Sequence, residues 1–391
     1  MNKTMVLLAG IGGYGAGYLN EMLDAKEPSF ILAGVADPFA SGSSRFDELN
    51  KRGIKIYKTP KDFFADGGRA ELTVIASPIH THYPYIIDCF ENNSSVLCEK
   101  PITGNISRLD DLIAREEKSG LFCAVGFQAC FAGDTLELKK DIMAGVYGKP
   151  VSFKAIHMTR RGDKYYRRNN WAGRLTVEGE TILDSPLNNG CSHDLQIMLF
   201  LLGEKMNSSA EISSVKAELW QGRQDIENFD AAALGIKTSG NVTGYFYTAH
   251  CVDTFGNGPI GEMVFEKAKI LRNEKPFSGL CAYSLQDNKL IKSYSEFGKE
   301  PELKKLYDSL ESTGTGVPPI VTLKTVRSHL NCVDYAAKTP VRKVPAEKLA
   351  SGVNTMNENE KDPFYYIPGL KEAFLRCYAE NALPSEIDFE I

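Results

Sequence analysis

Residues 5–15, MVLLAGIGGYG, restrict the fold of this chain more than any other stretch. An apolar run leads straight into Gly10, Gly12 and Gly15 in the G-x-G-x-x-G register, and a helix-compatible segment follows. The first glycine permits a tight turn. The second lets the backbone approach a pyrophosphate, and the third lets the helix pack closely on the strand. Gly13 and Tyr14 complete the turn, and the helix N-terminus offers N–H groups and a positive dipole to phosphate. Asp37 closes the next apolar run 22 residues after Gly15, where a carboxylate reaches ribose hydroxyls. The stretch reads as a dinucleotide site. An acid at that position repels a 2′-phosphate, so NAD is preferred, while Ser43, Ser44 and Arg45 just beyond leave NADP open.

The first third of the chain alternates short apolar runs with helix-length connections. The runs are MVLLAG (5–10), FILAGVAD (30–37), LTVIAS (72–77), SVLCEK (95–100) and FCAVGF (122–127). Near-continuous apolar strands with helical crossovers imply a parallel sheet covered on both faces. Beyond GVYGKP (145–150) the runs lengthen: VSFKAIHM (151–158), SVKAELWQ (214–221), 232–250 and 261–272. Those within 214–272 follow one another without room for helices, which predicts an antiparallel sheet. The segment 322–337 reads as a helix packed on that sheet, and NTMNENEKDP (354–363) as a polar link. A final amphipathic helix places Leu370, Ala373, Phe374, Cys377 and Tyr378 on one face. The expectation is an α/β protein in three parts. Residues 1–126 form a Rossmann domain with a doubly wound parallel sheet. Residues 127–345 form an α/β domain with an open, largely antiparallel sheet, and 346–391 a C-terminal extension.

The remaining classes are narrowed by charge and cysteine usage. A formal charge of −5 gives no electrostatic case for nucleic acid or an anionic membrane. No run approaches the ~18 apolar residues of a spanning helix. The N-terminal apolar run ends in the glycine turn and reads as a strand, not a signal peptide. Nine scattered cysteines without a C-x-x-C pair suit the reduced, buried thiols of a cytoplasmic protein better than disulfides or a zinc site. No metal is called for.

Chemistry in doubly wound sheets gathers beyond the carboxyl ends of the strands. One such end carries Ser77 and Pro78, with His80 and His82 following; another carries Glu99, Lys100 and Pro101. A lysine fixed at a strand end by proline is poorly explained by solubility. Partly desolvated near a cationic ring, its ammonium would exchange a proton with a hydroxyl near neutral pH.

These residues resemble the Gfo/Idh/MocA oxidoreductases, the family of glucose–fructose oxidoreductase and inositol dehydrogenase. GIGGYG, SPIHTH (77–82), CEKP (98–101), GVYGKP and the His193 segment stand in that family's order over residues 4–340. Glu99-Lys100-Pro101 is the most specific element. The resemblance implies NAD(P)-dependent hydride transfer between nicotinamide and a sugar, sugar-acid or cyclitol hydroxyl or carbonyl. It matches Lys100 and His193 to the catalytic lysine and histidine, and it puts Ser77, Pro78, His82 and Glu99 near the cofactor. It also implies that the second domain binds substrate and pairs subunits into a homodimer or homotetramer.

The chain departs from the family where Asn189-x-x-x-His193-x-x-Gln196 carries amides in place of two acids. An amide still orients a hydroxyl or an imidazole but takes no proton. Asn189 is therefore read as a positioning group on one helix face with His193, with Asn188 or Asn189 as N-cap. Asp184 is near enough in sequence to replace a missing acid. Ile79 stands where the family commonly has asparagine. Just upstream, RRGDKYYRRNNWAGR (160–174) interleaves arginines and aromatics, with Tyr166, Trp171 and Arg174 read as substrate contacts for a polar, anionic sugar derivative. A subunit contact competes for this loop. Two other functions stay open: an NAD-recycling glycoside hydrolase or lyase, and a non-catalytic, nucleotide-responsive binding protein.

Overall fold

The computed structural model describes residues 3–254, 256–274, 279–295, 300–357 and 360–389. The chain divides into two units: Met1–Ala132 with Phe297–Val326, and Gly133–Glu296 with Arg327–Ile391.

In the first unit the strands are β1 (Thr4–Ala9), β2 (Phe30–Ala36), β3 (Ile56–Tyr57), β4 (Leu72–Ile75), β5 (Ser95–Cys98) and β6 (Cys123–Val125). They pair in parallel in the order β3-β2-β1-β4-β5-β6, the doubly wound arrangement. Every residue of β4 and β5 is buried, which is why those runs read as continuously apolar rather than alternating. Local signals set the helix ends. Thr59 and Asp62 form a capping box at Pro60–Ala65, Asn105 caps Ile106–Ser119, and Gly120 closes that helix in the left-handed region. The chain returns late to this unit with a helix at Pro301–Thr315, whose Leu306 and Leu310 join the core of Val6, Leu8, Val74 and Leu97.

The second unit is built on nine strands: β7 (Pro150–Met158), then, after a small hairpin of β8 (Thr176–Val177) and β9 (Glu180–Thr181), β10 (Ile212–Gln221), β11 (Ala231–Thr238), β12 (Thr243–Ala249), β13 (Asn257–Phe265), β14 (Ala268–Arg272), β15 (Leu280–Ser284), β16 (Leu290–Tyr294) and β17 (Val341–Lys343). The order is β16-β15-β14-β13-β7-β12-β11-β10-β17. Only β7–β12 and β10–β17 are parallel, so the sheet is largely antiparallel. The tail is part of this unit. The helix Leu370–Glu380 buries the five residues of its apolar face against Ile156, Trp220 and Tyr247 of the sheet. Tyr247 Oη donates to the Cys377 carbonyl at 3.0 Å or the Ala382 carbonyl at 2.7 Å, which locks the helix end.

The polar stretch 354–363 is not a link. It lies in a hairpin of β18 (Ala350–Asn357) and β19 (Glu360–Tyr366), with 358 and 359 outside the described residues. Its polar side chains satisfy one another: Asn354 Nδ2 donates to Asp362 Oδ2 at 3.2 Å, and Asp362 Oδ1 accepts the Lys164 N–H at 2.8 Å. A strand held by such pairs lacks the apolar alternation that reveals strands in sequence. All nine cysteines are free and buried.

Candidate active site

The glycine turn of the first unit fits a pyrophosphate. Gly10 has φ +86°, and a Cβ there would stand 2.7 Å from the Ser77 nitrogen; a Cβ on Gly15 would stand 2.2 Å from the Gly10 oxygen. Only hydrogen fits either place. Nothing lies within 4 Å of where a Cβ on Gly12 or Gly13 would be, so that side of the turn is open. The helix Gly15–Asp24 has no acid in its first turn to compete for its N-terminus. Asp37 Oδ2 accepts the Ile11 N–H at 2.9 Å and Oδ1 the Phe39 N–H at 2.7 Å, which holds the carboxylate beside the turn. Arg45 is committed elsewhere. Its guanidinium pairs with Asp24 at 2.7 Å and Glu48 at 2.6 Å and also donates to Asn20, so it is not the free cation that a 2′-phosphate needs.

Two strand ends are strapped together by His82. The buried ring has Nδ1 2.9 Å from the Pro101 carbonyl and Nε2 2.9 Å from the Ser77 carbonyl. Burial, outweighing both contacts, lowers its pKa, so the ring is neutral and its single N–H donates to one of these two carbonyls while the ring packs between the Ser77 and Lys100 segments. Lys100 follows β5 and is half-buried. Its N–H donates to Glu99 Oε2 at 3.3 Å. The same carboxylate accepts from Tyr18 Oη at 2.7 Å and pairs with Lys305 of the helix Pro301–Thr315. Lys305 has no exposed side-chain surface and also donates to Tyr14 Oη at 3.0 Å. Glu99 therefore acts as a buried anchor behind Lys100. Sequence reading missed Lys305, 206 positions away from Glu99; its one signal was a cation inside an otherwise amphipathic apolar stripe.

In the second unit, the segment around His193 differs from the expected single helix. Pro186–Gly190 forms a wide π-type turn capped by Ser185, and the helix begins at Ser192 with Cys191 as N-cap. Asn189 thus precedes the helix and shares no helix face with His193, and neither Asn188 nor Asn189 caps it. Asn188 Nδ2 instead donates to the Ile182 carbonyl at 2.7 Å. Asn189 Nδ2 donates to Asp184 Oδ1 at 2.8 Å, while Asp184 Oδ2 accepts the Gly173 N–H at 2.7 Å. The acid missing at 189 is therefore present one hydrogen bond away, on buried Asp184. His193 lies half-buried in the first helical turn.

A lone acid in the apolar run SHDLQIMLFLL signals a second feature, because a buried carboxylate needs partners. Asp194 Oδ2 accepts from His157 Nδ1 of β7 at 2.5 Å, and Oδ1 accepts from Arg272 of β14 at 2.6 Å. Burial lowers the His157 pKa, but the bond to Asp194, with contributions from Cys191 and the Asp194 charge, pushes it up to about 10. Burial likewise raises Asp194, and the Arg272 charge and the His157 contact pull it down to about 2. Relative to an ordinary imidazole near 6.5, the stability from charged His157 is complete below about pH 6.5 and lost as pH rises through about 10. The Asp194 share is present above the ordinary carboxylate value and lost as pH falls toward 2. The melting temperature at pH 9.5 is expected to lie below that at pH 6, and His157→Gln to flatten this slope. Equal slopes in calorimetry of the two proteins would remove His157 as the cause.

The loop after β7 seats a histidine that sequence reading passed over. His250 is buried, its Nδ1 3.0 Å from Tyr166 Oη. Burial and the nearby Arg161, His157 and Arg168 keep its pKa well below the ordinary value, so it is neutral. Arg161 and Arg168 lie over the Tyr165 ring at 4.6 and 3.6 Å, and Arg168 also lies 5.0 Å from the centre of Trp171. Tyr166 is buried beneath this surface, and Arg174 pairs with Glu227 at 2.8 Å on the exterior. A Cβ on Gly190 would stand 2.3 Å from His250 Nε2. Gly190→Ala is thus expected to displace His250 and Tyr165 and to raise KM by about 10-fold or more, on the scale of 1–3 kcal/mol for overpacking. An unchanged KM would show that the turn relaxes freely. Elsewhere in this unit a cavity of about 550 Å³ is lined by Asp163, Arg223, Asp225 and Tyr365. Arg223 already donates to both acids, which leaves the lining charge-balanced.

The parallel sheet, the glycine cradle and the carboxylate beside it define a dinucleotide-binding protein. Residues 4–127 match the model of the oxidoreductase family with an NAD-binding Rossmann fold. Over residues 4–127 the chain is similar to this family, the Gfo/Idh/MocA oxidoreductases, and its first unit is an NAD-binding Rossmann domain. It is 24% identical to a myo-inositol 2-dehydrogenase of Thermotoga maritima over 325 residues, 80% of this chain and 90% of that protein. It is 27% identical to an inositol 2-dehydrogenase of Mycolicibacterium smegmatis over 158 residues, 40% of this chain and 45% of that protein, so the match spans less than half of that relative. The WlbA dehydrogenase of Bordetella pertussis, solved with NADH and UDP-GlcNAcA, shares the fold with a TM-score of 0.68 at 16% identity, covering 86% of this chain and 97% of that one.

Proposed function

We propose that the protein is an NAD-dependent oxidoreductase acting on a hydroxyl or carbonyl of a sugar, sugar acid or cyclitol. The observation that carries this reading is the strand-end assembly of the first unit, where a glycine cradle adjoins a lysine positioned by Glu99 and His82. NAD, when bound, supplies the hydride acceptor. Gly10, Gly12, Gly13, Tyr14 and Gly15 would hold its pyrophosphate, Asp37 its ribose, and Ser77 and Pro78 would flank it. The commitment of Arg45 to Asp24 and Glu48 supports NAD over NADP. Lys100 and His193 handle the proton of the substrate hydroxyl. Asn189, held by Asp184, orients the substrate. Trp171 offers a face to the sugar, while Tyr166 acts behind it by seating His250.

The test follows nicotinamide absorbance while purified protein is incubated with NAD and a panel of neutral sugars, sugar acids and cyclitols. NADH is expected with at least one class, and NADP is expected to serve at least tenfold less well. A protein that binds NAD but yields no NADH across the panel refutes net oxidation. Glycoside cleavage without net NADH would then establish the cofactor-recycling reaction in its place.

A further inference from the structure

Cations cluster around buried His250 and Asp194 in the second unit, although the chain has a formal charge of −5. His157, Arg161, Arg168 and Arg272 gather there. Two carboxylates answer them. Asp194 is shared by His157 and Arg272, and Asp184 is held by Asn189 and the Gly173 N–H. Asp163 of the loop is bound to Arg223 and Arg167, and Asp362 of β19 accepts the Lys164 N–H. His250 is neutral. Arg161 has its Nε buried with no hydrogen-bond partner among the described residues. The His157 side chain is 20% exposed, enough for a solute to touch it. Partly buried cations such as His157 and Arg161 are costly unless an anion joins them, and the lowered dielectric strengthens that attraction.

We propose that His157 and Arg161, backed by the Asp194–Arg272 pair, receive the anionic group of the substrate. The group is the carboxylate of a sugar acid or the phosphate of a sugar phosphate. This inference rests on the oxidoreductase reading and narrows its substrate class. The Arg161 guanidinium and the His157 imidazolium, both of which act on His250, offer charge-assisted N–H donors to either anion, whereas a neutral hydroxyl gains far less from them. Asp194 acts through His157 as a positioning residue.

The test uses NAD-saturated protein and titration calorimetry with D-gluconate, D-glucuronate, glucose 6-phosphate, glucose and myo-inositol. At least one charged ligand is expected to bind at least tenfold more tightly than both neutral ones, and the stronger arm identifies the anion. Arg161→Gln and His157→Asn are each expected to weaken that ligand about 10- to 100-fold, the range for losing a charged hydrogen bond. Neutral ligands should change less than threefold, and Arg161→Lys should recover part of the loss. Tighter binding of glucose or myo-inositol, or equal losses for charged and neutral ligands, overturns the proposal. The two readings separate cleanly. Anion binding that both variants abolish, without NADH formation, keeps the anion site and refutes the dehydrogenase. NADH formed only from neutral cyclitols, with no anion binding, does the reverse.

Discussion

Lys100→Ala is expected to bind NAD with nearly wild-type affinity and to lose about 10³-fold in kcat, the middle of the range for removing a general base. The ammonium stands on a short segment whose backbone is held by Glu99 and by the buried His82 ring seated between the Pro101 and Ser77 carbonyls. Removing the side chain leaves those anchors intact, because they hold main-chain atoms. Cofactor affinity should therefore survive while turnover falls, a split that a misfolded variant would not show. Measuring NAD binding by fluorescence beside NADH formation checks both halves. A variant that retains a tenth of wild-type kcat would move the proton-transfer role away from Lys100.

Lys305→Met is expected to be the most destabilising single change in the first unit. Its ammonium is completely buried against the Glu99 carboxylate and Tyr14 Oη, and it ties the late helix Pro301–Thr315 to the sheet. Methionine fills the volume but leaves Glu99 as a buried, uncompensated charge, a loss of about 3–5 kcal/mol. For a unit of this size that is about 10 °C in melting temperature, at roughly 2–4 °C per kcal/mol. The double variant Glu99→Gln/Lys305→Met removes both charges and should recover more than half of the loss. Calorimetry of the four proteins closes the cycle. A single variant melting within 2 °C of wild type would show that water reaches the pair.

Much of the fold was legible because both halves obey local rules. The parallel strands could be read since burial on both faces makes them continuously apolar, and β4 and β5 are buried throughout. The tail helix was found because its five apolar residues recur at helical spacing, and all five are buried. The hairpin at 350–366 escaped because its polar groups pair with each other and with the loop at residue 164. The turn at Pro186–Gly190 escaped for a related reason: the difference between a helical face and a π-type turn lies in where the Ser185, Asn188 and Asn189 side chains find partners.

By itself the sequence determined the elements whose physics is local: the glycine turn, the acid after β2 and the lysine at the end of β5. Only the tertiary structure decided which charges share a site. Glu99 meets Lys305 across 206 positions, and Asp194 draws in His157 from 37 positions upstream and Arg272 from 78 downstream. No spacing rule encodes such pairs, because a buried charge is satisfied by whatever distant strand or helix the packing brings to it, and its partner carries no local mark of that role.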